Sequence, residues 1–555
     1  MRPAGIVLAL VAASAACGGD HHSTGPTPLP PCGASGTPIT LAPTNYVSID
    51  PATDSGCFAF PANASATDSA EYLVVAQAAT GSPGQSATFQ LQSASPGVTA
   101  SLVEFPAGAS APQASSPIAV QFDRFLRRAA RMRSYTTGPT LAASRVASQS
   151  PTVTQATPPT VGSLRTFKVC NNLSCSAFDN VTAKVKTVGQ HIAIYVDTLA
   201  PAGGLDSADF DTLSQVFDSR LYPLDTAAFG DVSDIDTNSV TIVLMTGTVN
   251  HLVSSSTCTT SGYVAGFFFS GDLDPLFSNQ FNHGEIFYSI VADPTGKLSC
   301  AHSTSSVKTG TPITFTHEFQ HMINFVQHVV VHGGDSEEGW LDEGLSKYAE
   351  EIAGRSFLPG DSVSFSRYAI NDVYDAYQYL SNPPSSPLLI PQDDGTLAEI
   401  GACWLFTRYL VDRFGDSMPR LLVTDNVVGS ANVAARTKET FQTTVTDWAM
   451  ANWVSDLPNF TAPAALKYSS WHFRRTFASL NSQDPTNFPR PYPLVPTASA
   501  GTAVNISGTL TSGSGAYVRA LQAPGAAAFD LRLTGSGGVA ISSSIVARLS
   551  VIRIR

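Results

Sequence analysis

Residues 317–321 have the sequence His-Glu-Phe-Gln-His, and this motif restricts the local fold more than any other segment. Side chains four residues apart face the same side of an α-helix, so both histidines can reach one point only if this segment is helical. Apolar residues recur at helical spacing around the motif: Phe315, Phe319, Met322, Ile323 and Val326. With Thr311 as N-cap and Pro312 as first helical residue, the sequence predicts a helix from Pro312 to His328.

Two imidazoles on one helical face, with a glutamate beside them, are typical of a catalytic zinc site. We therefore expect His317 and His321 to ligate Zn²⁺ and Glu318 to act on water next to the ion. A catalytic zinc site has three protein ligands and one open position. In the metzincin pattern the third ligand would require Gly and His where this chain has Asn324 and Gln327, so that class is excluded.

The third ligand must then come from elsewhere in the chain. On a continuing helix, His328 would lie about 10 Å along the axis from His321, too far to share the ion. An aspartate ligand would be Asp342, and a glutamate ligand would be Glu343. The residues alone leave both open.

A second signature follows the histidine motif. Residues 340–344 have the sequence Trp-Leu-Asp-Glu-Gly, which resembles the second-helix signature of the gluzincin zinc metallopeptidases. Together with His-Glu-Phe-Gln-His-Met-Ile-Asn-Phe at 317–325, it most resembles the hyicolysin-type family of bacterial metallopeptidases, over a region that ends at Ile352. The resemblance implies that Glu343 is the third zinc ligand and Glu318 the general base. It also implies a zinc endopeptidase that hydrolyses protein or peptide substrates.

The chain departs from this pattern where other groups should support the site. Thermolysin-like enzymes have Asp four residues after the third ligand, and this chain has Lys347 there. Asp342, Glu350 and Glu351 are the candidates to orient the zinc histidines instead. Related enzymes stabilise the oxyanion with a downstream Tyr or His, and the sequence does not choose among five candidates. These are Tyr368, Tyr374, Tyr377, Tyr379 and His472.

The N-terminus has the features of an export signal. Arg2 precedes a short apolar run, and small residues stand directly before Cys17. This resembles a bacterial lipobox, except that Ser14 replaces the usual Leu. We expect a signal peptide at 1–16, lipidation of Cys17 and a Pro-rich tether at 17–36, giving a lipid-anchored protein of the bacterial cell envelope. Cleavage without lipidation, and hence secretion, is the alternative.

Export permits disulfides, and the remaining cysteines fall into local pairs. Proximity predicts Cys32–Cys57, Cys170–Cys175 and Cys258–Cys300, and Cys403 is left as a buried free thiol in an apolar helix. The chain has 31 Lys and Arg against 43 Asp and Glu, and no run of basic residues is longer than a pair such as Arg127-Arg128. This balance argues against a nucleic-acid partner.

The arrangement of apolar segments predicts an α+β chain, and the resemblance implies a zincin-like metallopeptidase domain at 164–460. Short alternating strands separated by Gly, Pro and Ser predict a β-sandwich-like domain on each side, at 37–105 and 461–555. Residues 106–163 are rich in Ala, Ser, Pro and Thr and are predicted to be a linker. Its one helix, 119–132, carries four arginines, interpreted as a solvated face: Arg124, Arg127, Arg128 and Arg131.

Two further hypotheses stay open at this stage. Calcium is a second candidate ion, because oxygen ligands cluster in two segments: Asp231, Asp234, Asp236 and Asn238 in the first, and Asp272 and Asp274 in the second. The same residue types are also common in turns. The alternative function is a surface binding or adhesion protein with a residual zinc site, although a purely structural site has no use for Glu318.

Overall fold

A computed structural model of the 555-residue chain describes residue 32 and residues 36–53, 56–93, 118–147, 157–274, 276–390 and 396–555. The predicted signal peptide and the lipidation site at Cys17 lie outside the described residues, as does nearly all of the predicted tether. Within the described ranges, no helix combines the length and apolar character that a membrane span requires.

The described residues form sixteen strands and thirteen α-helices. The strands are β1 Thr37–Pro38, β2 Tyr46–Ile49, β3 Cys57–Phe60, β4 Ala70–Ala78, β5 Ser86–Ser93, β6 Leu164–Cys170, β7 Phe178–Val188, β8 Ile192–Asp197, β9 Thr241–Met245, β10 Gly266–Phe268, β11 Ile286–Ser289, β12 Thr497–Ala500, β13 Asn505–Thr511, β14 Gly515–Gln522, β15 Phe529–Thr534 and β16 Ala547–Arg553. The helices are α1 Ile118–Ala147, α2 Ser207–Val216, α3 Tyr222–Phe229, α4 Gly247–Asn250, α5 Ser255–Ser261, α6 Thr304–Phe325, α7 Gly339–Arg355, α8 Ser362–Ser381, α9 Leu397–Phe414, α10 Met418–Val423, α11 Gly429–Thr437, α12 Phe441–Val454 and α13 Phe473–Gln483. Sheets and helices therefore both contribute to the described part of the chain.

A six-stranded mixed sheet forms the base of the central region, in the order β10-β11-β9-β8-β7-β6. Strands β8, β9 and β11 are parallel to one another, and β10 is the antiparallel strand at one edge. The middle strands are apolar on both faces because helices cover the sheet. Helix α6 packs on it through Phe315, whose ring lies 5.2 Å from that of Phe287 in β11.

Helix α6 begins earlier than the sequence predicted. It spans Thr304–Phe325 with Ser303 as N-cap, and Pro312 lies inside it rather than at its start. The Ser303 hydroxyl caps the helix by accepting a hydrogen bond from the Ser306 amide at 3.1 Å. The sequence did not predict this earlier start because the first turns of the helix are rich in Ser and Thr. The predicted apolar stripe is buried as expected: Phe315, Phe319, Met322, Ile323 and Val326 are each 0% exposed.

The terminal β segments differ from the predicted arrangement. Strands from both ends of the chain pair with each other in two five-stranded sheets, β1-β3-β15-β5-β13 and β12-β14-β4-β16-β2. Strand β4, for example, lies between β14 and β16. The sheets share one apolar core that includes Phe58, Val74 and Leu531. The chain therefore has one β unit built from both termini, and not one at each end. Alternation along a strand predicts its buried face but not its partner.

The structure also differs from the predicted boundary at residue 460 between the central domain and the C-terminal β domain. Residues 461–494 pack with the helices of the central region: Trp471 donates a hydrogen bond to Glu351 at 2.7 Å, and its ring lies 5.6 Å from that of Trp404. The terminal β unit docks on the same body, since the Tyr517 hydroxyl in β14 donates to the Ala449 carbonyl of α12 at 3.0 Å. The C-terminal strands therefore begin only at Thr497.

The helix in the predicted linker is longer than expected and is not a solvated spacer. It spans Ile118–Ala147, and Phe122, Leu126 and Ala130 are at most 4% exposed. Arg127, expected on a solvated face, is only 5% exposed. Its contacts belong to the functional site and are described below.

The cysteines follow the predicted pairing. Cys32–Cys57, Cys170–Cys175 and Cys258–Cys300 form disulfides, and Cys403 is a buried free thiol in α9. The first bridge joins β3 to a residue upstream of β1, so it fastens the beginning of the described chain to the β unit. Such bridges belong to proteins of oxidising compartments.

Candidate metal centre

Helix α6 presents two imidazoles at one point. His317 and His321 are one turn apart, and their Nε2 atoms lie 3.2 Å from each other. The helix is held in this orientation by its buried stripe, in which the Phe319 ring lies 5.1 Å from that of Phe217. The histidines therefore face away from the core that fixes the helix.

Helix α7 brings a carboxylate to the same point. Oε2 of Glu343 lies 3.8 Å from Nε2 of His317 and 3.6 Å from Nε2 of His321. Zinc bonds of about 2.0–2.1 Å in a tetrahedron place neighbouring donors roughly 3.3 Å apart. The three donor atoms are thus close to the spacing that one Zn²⁺ requires.

The chemistry of these donors also fits a cation. Oε2 of Glu343 is buried and makes no hydrogen bond within the described residues. A buried carboxylate oxygen without a donor is costly unless a positive charge meets it. Two imidazoles and one carboxylate are a ligand set found in catalytic zinc sites.

The outward-facing ring nitrogens of both histidines contact further carboxylates. Oδ1 of Asp342 lies 3.1 Å from Nδ1 of His321, and Oε1 of Glu350 lies 2.8 Å from Nδ1 of His317. Lys347 in turn donates a hydrogen bond to Glu350 at 3.0 Å. Asp342, considered above as an alternative ligand, is therefore on the far side of the imidazole from the donor cluster. Thermolysin-like enzymes have an Asp at the position of Lys347. In this chain Glu350 and Asp342 contact the histidines instead.

The third candidate for a supporting role, Glu351, lies elsewhere. Its carboxylate accepts hydrogen bonds from the indole N–H groups of Trp404 and Trp471, at 3.0 and 2.7 Å. Arg408 lies 3.3 Å from the same carboxylate. Glu351 therefore connects α7 to α9 and to the segment that precedes α13.

The electrostatic environment favours positive charge at the cluster. Burial and Arg127 both act to lower the pKa of His321, but Asp342 and Asp123 outweigh them and raise it to about 10. Burial opposes ionisation of Glu343, yet the pKa of its carboxyl is lowered by His317, His321 and Lys347. The carboxylates around the two histidines therefore favour a positive charge at this point.

Glu318 lies beside the donor cluster but is not part of it. Its Oε2 accepts a hydrogen bond of 2.8 Å from the backbone N–H of Phe268. Phe268 ends β10, the edge strand of the mixed sheet. Glu318 as a whole is buried, with 6% of its surface exposed. This position is suited to proton transfer next to the metal rather than to ligation.

Part of the chain is similar to a metalloprotease. Over 183 residues, 33% of this chain, it is 25% identical to the neutral metalloprotease ShpI of Staphylococcus hyicus. The matched region spans 38% of that protein, so the similarity covers well under half of either chain. No family model matches.

The predicted oxyanion donors have partners outside the cluster. The Tyr377 hydroxyl accepts from the Arg490 amide at 2.7 Å, Tyr379 stacks on Trp448, and the exposed His472 lies 3.2 Å from Asp456. The rings of Tyr374 and Tyr368 pack against Phe488 and Phe357. His328 is buried 3.7 Å from Glu337. His328 is not in the group of metal donors, and the choice of an oxyanion donor among the other five stays a prediction.

The predicted calcium ligands lie in two separate places. Asp234, Asp236 and Glu285 offer oxygens within 4.8 Å of one another. These carboxylates already accept local hydrogen bonds, such as Asn238 N–H to Asp234 at 2.9 Å. Asp272 is buried with Tyr288, which donates to it, and its pKa is raised by burial to about 7. Calcium binding stays a prediction.

One residue at the cluster was missed by the sequence analysis. Oδ1 of Asp123, in α1, lies 3.6 Å from Nε2 of His321. Burial raises the pKa of Asp123 to about 6, although Arg127 and His321 lower it. A lone Asp in a segment predicted to be a linker gives no signal of this position, because only packing brings α1 to α6.

Proposed function

We propose that this protein is a zinc-dependent endopeptidase of the gluzincin type. The observation that carries the proposal is the convergence of His317, His321 and Glu343, with Glu318 alongside but not among the donors. The similarity to a metalloprotease supports it. A site that only stabilised the fold would need four donors and no neighbouring base.

Each residue has a defined part in this proposal. A bound Zn²⁺ would supply a Lewis acid that activates water and polarises the peptide carbonyl. The Glu318 carboxylate accepts the proton that water loses on attack and passes it to the departing amine. Asp342 and Glu350 hold the imidazoles of His321 and His317 so that both Nε2 atoms face the ion.

The edge strand β10 supports the proposal that the substrate is a polypeptide. Strand β10 lies at the margin of the mixed sheet, and its last residue contacts Glu318. An extended peptide can add to a strand edge through main-chain hydrogen bonds. At β10 this requires that Arg127, which donates a hydrogen bond to the Phe268 carbonyl, be displaced. Such pairing would align a scissile bond beside the metal without requiring a particular side chain, which suits an endopeptidase.

The discriminating experiment is hydrolysis of casein and gelatin with and without a chelator. Both the natural chain and its Asp123→Asn variant should be assayed, because Asp123 lies against His321. We expect hydrolysis that the chelator abolishes and that stoichiometric zinc restores. Zinc-loaded protein that cleaves neither substrate in either form would contradict the proposal and favour a surface binding protein.

We further propose that the protein acts outside the cytoplasm, anchored through a lipid on Cys17. The three disulfides support an oxidising compartment. The anchor itself rests on the sequence around Cys17. Metabolic labelling with a radioactive fatty acid should mark the natural chain and not a Cys17→Ala variant. Equal labelling of both would contradict the anchor, and release of unlabelled protein would favour secretion.

A further inference from the structure

Lys347 lies between buried acidic side chains of two helices. Its Nζ lies 3.0 Å from Oε1 of Glu350, one turn later on α7, and 3.6 Å from Oδ1 of Asp372 on α8. The side chain of Lys347 is 14% exposed, that of Glu350 4% and that of Asp372 0%. The ammonium group therefore joins α7 to α8 in a region that water hardly reaches.

The Glu350 oxygen that meets Lys347 is also the one that meets His317. Oε1 of Glu350 accepts a hydrogen bond from Lys347 at 3.0 Å and lies 2.8 Å from Nδ1 of His317. On the other side of that imidazole, Nε2 lies 3.8 Å from Oε2 of Glu343. A displacement of Lys347 would therefore reach the metal donors through this one carboxylate oxygen.

Asp372 keeps the ammonium group where it is. Neither carboxyl oxygen of Asp372 has a hydrogen-bond donor within the described residues, and such a buried group is costly unless a cation meets it. Asp375, one turn along α8, is only 3% exposed. Burial acts to lower the pKa of Lys347, but Glu350, Asp372 and Asp375 raise it well above its usual range. Lys347 is therefore a permanent cation at this position.

The close packing of α7 and α8 fixes the distance between the two helices. A Cβ on Gly354 of α7 would lie 2.8 Å from the Cβ of Tyr368 in α8. Interiors packed to this density do not let one helix slide along another without cost. The position of Asp372 opposite Lys347 is therefore set by the packing of the helices.

We propose that Lys347 is a positioning residue of the metal centre, which holds Oε1 of Glu350 against Nδ1 of His317 while Asp372 holds Lys347. The proposal rests on the proposed function. An ammonium group near a zinc site repels the ion, so by charge alone the loss of Lys347 would tighten zinc binding. A carboxylate that orients a ligating imidazole has the opposite effect, worth about 10–100-fold in zinc affinity. The sign of the change in affinity therefore separates positioning from charge.

The test measures the zinc affinity of the full chain by competition with a chromogenic chelator. Lys347→Met removes the cation, and Lys347→Met combined with Asp372→Asn keeps the formal net charge. We expect both chains to bind zinc at least about 10-fold more weakly than the natural chain. Lys347→Arg, which keeps the charge, should bind zinc more tightly than Lys347→Met. Lys308→Met is the matched control, since it also loses an ion pair, with Asp209, and should match the natural chain.

A double-mutant cycle tests whether Lys347 acts through Glu350. In a chain that already carries Glu350→Gln, adding Lys347→Met should weaken zinc binding by no more than about 2-fold, because the contact that it would disturb is already lost. A second full loss of affinity in that background would overturn the route through Glu350.

Zinc affinity equal to or above that of the natural chain in both Lys347 chains without the cation would overturn positioning and leave only a charge effect. Thermal unfolding of the metal-free chains completes the test. If the change at Asp372 restored both the melting temperature and the zinc affinity, the role of Lys347 would be structural only. Where Lys347→Met alone does not fold, the charge-conserving pair carries the same test. A natural chain that binds zinc with these dependences but cleaves no casein would count against the proposed function and still support Lys347 as a positioning residue.

Discussion

At the scale of single residues, the two histidines proposed to bind zinc lie against different carboxylates on one helix. Asp342 lies at the start of α7 and contacts His321, while Glu350 lies two turns later and contacts His317. Asn324 on α6 also donates to Asp342 and fixes that carboxylate from the other side. Each imidazole is therefore oriented independently.

We predict that Asp342→Asn and Glu350→Gln each weaken zinc binding by about 10–100-fold, because each removes the carboxylate charge that lies against one imidazole. Zinc affinity can be measured by competition with a chromogenic chelator. Glu439→Gln is the matched control, since Glu439 pairs with Arg413 at 2.9 Å, away from the metal donors. Unchanged affinity in both site variants would show that these contacts do not support the metal.

Sequence alone predicted the residues whose positions depend on local helix geometry. His317, Glu318 and His321 lie within two turns of one helix, and Glu343 was found by its resemblance to a signature on the next. Asp123 could not be predicted, because its role depends on a tertiary contact between helices far apart in the chain. The same contact made Arg127 a buried residue rather than a solvated one.

At the scale of elements, helices α7, α8 and α9 cross so closely that glycine is required at their contacts. A Cβ on Gly344 of α7 would lie 2.7 Å from the Cys403 carbonyl oxygen of α9. A Cβ on Gly401 of α9 would overlap the backbone of Asp375 in α8. These close crossings fix α7, the helix that carries Glu343, against α9.

We predict that Gly401→Ala destabilises the protein by about 1–3 kcal/mol, because backbone atoms of α8 must move to admit the methyl group. Thermal unfolding followed by circular dichroism measures the effect. Gly310→Ala is the control, as that helical glycine has no atom within 4 Å of an added Cβ. It should leave stability unchanged or raise it by up to about 1 kcal/mol. Equal melting temperatures for Gly401→Ala and the natural chain would contradict the close crossing.

At the scale of the whole molecule, strands from the two terminal regions of the chain pair with each other in the same sheets. Strand β4 is buried along its whole length between β14 and β16, and β5 lies between β13 and β15. The sequence predicted strands in both terminal regions because alternation is a local property. It predicted two separate units because strand pairing across the whole chain leaves no local pattern.

We predict that a chain ending at residue 494 cannot maintain its N-terminal strands, since β4 and β5 each lose both neighbours and expose their apolar faces. Size-exclusion chromatography should show aggregates. Supplying residues 495–555 as a separate polypeptide during refolding should restore the monomer. A truncated chain that stays monomeric and keeps residues 36–93 resistant to protease would contradict the shared β unit.

The most direct test of the central claim is Glu318→Gln introduced into the Asp123→Asn chain. Glutamine keeps the shape of Glu318 but cannot accept a proton, and His317, His321 and Glu343 are unchanged. We predict full zinc content by elemental analysis and a fall in casein hydrolysis of about 10²–10⁴-fold relative to Asp123→Asn alone. Glu439→Gln in the same background should change neither value. Full zinc content with undiminished hydrolysis would contradict the assignment of Glu318 as the general base.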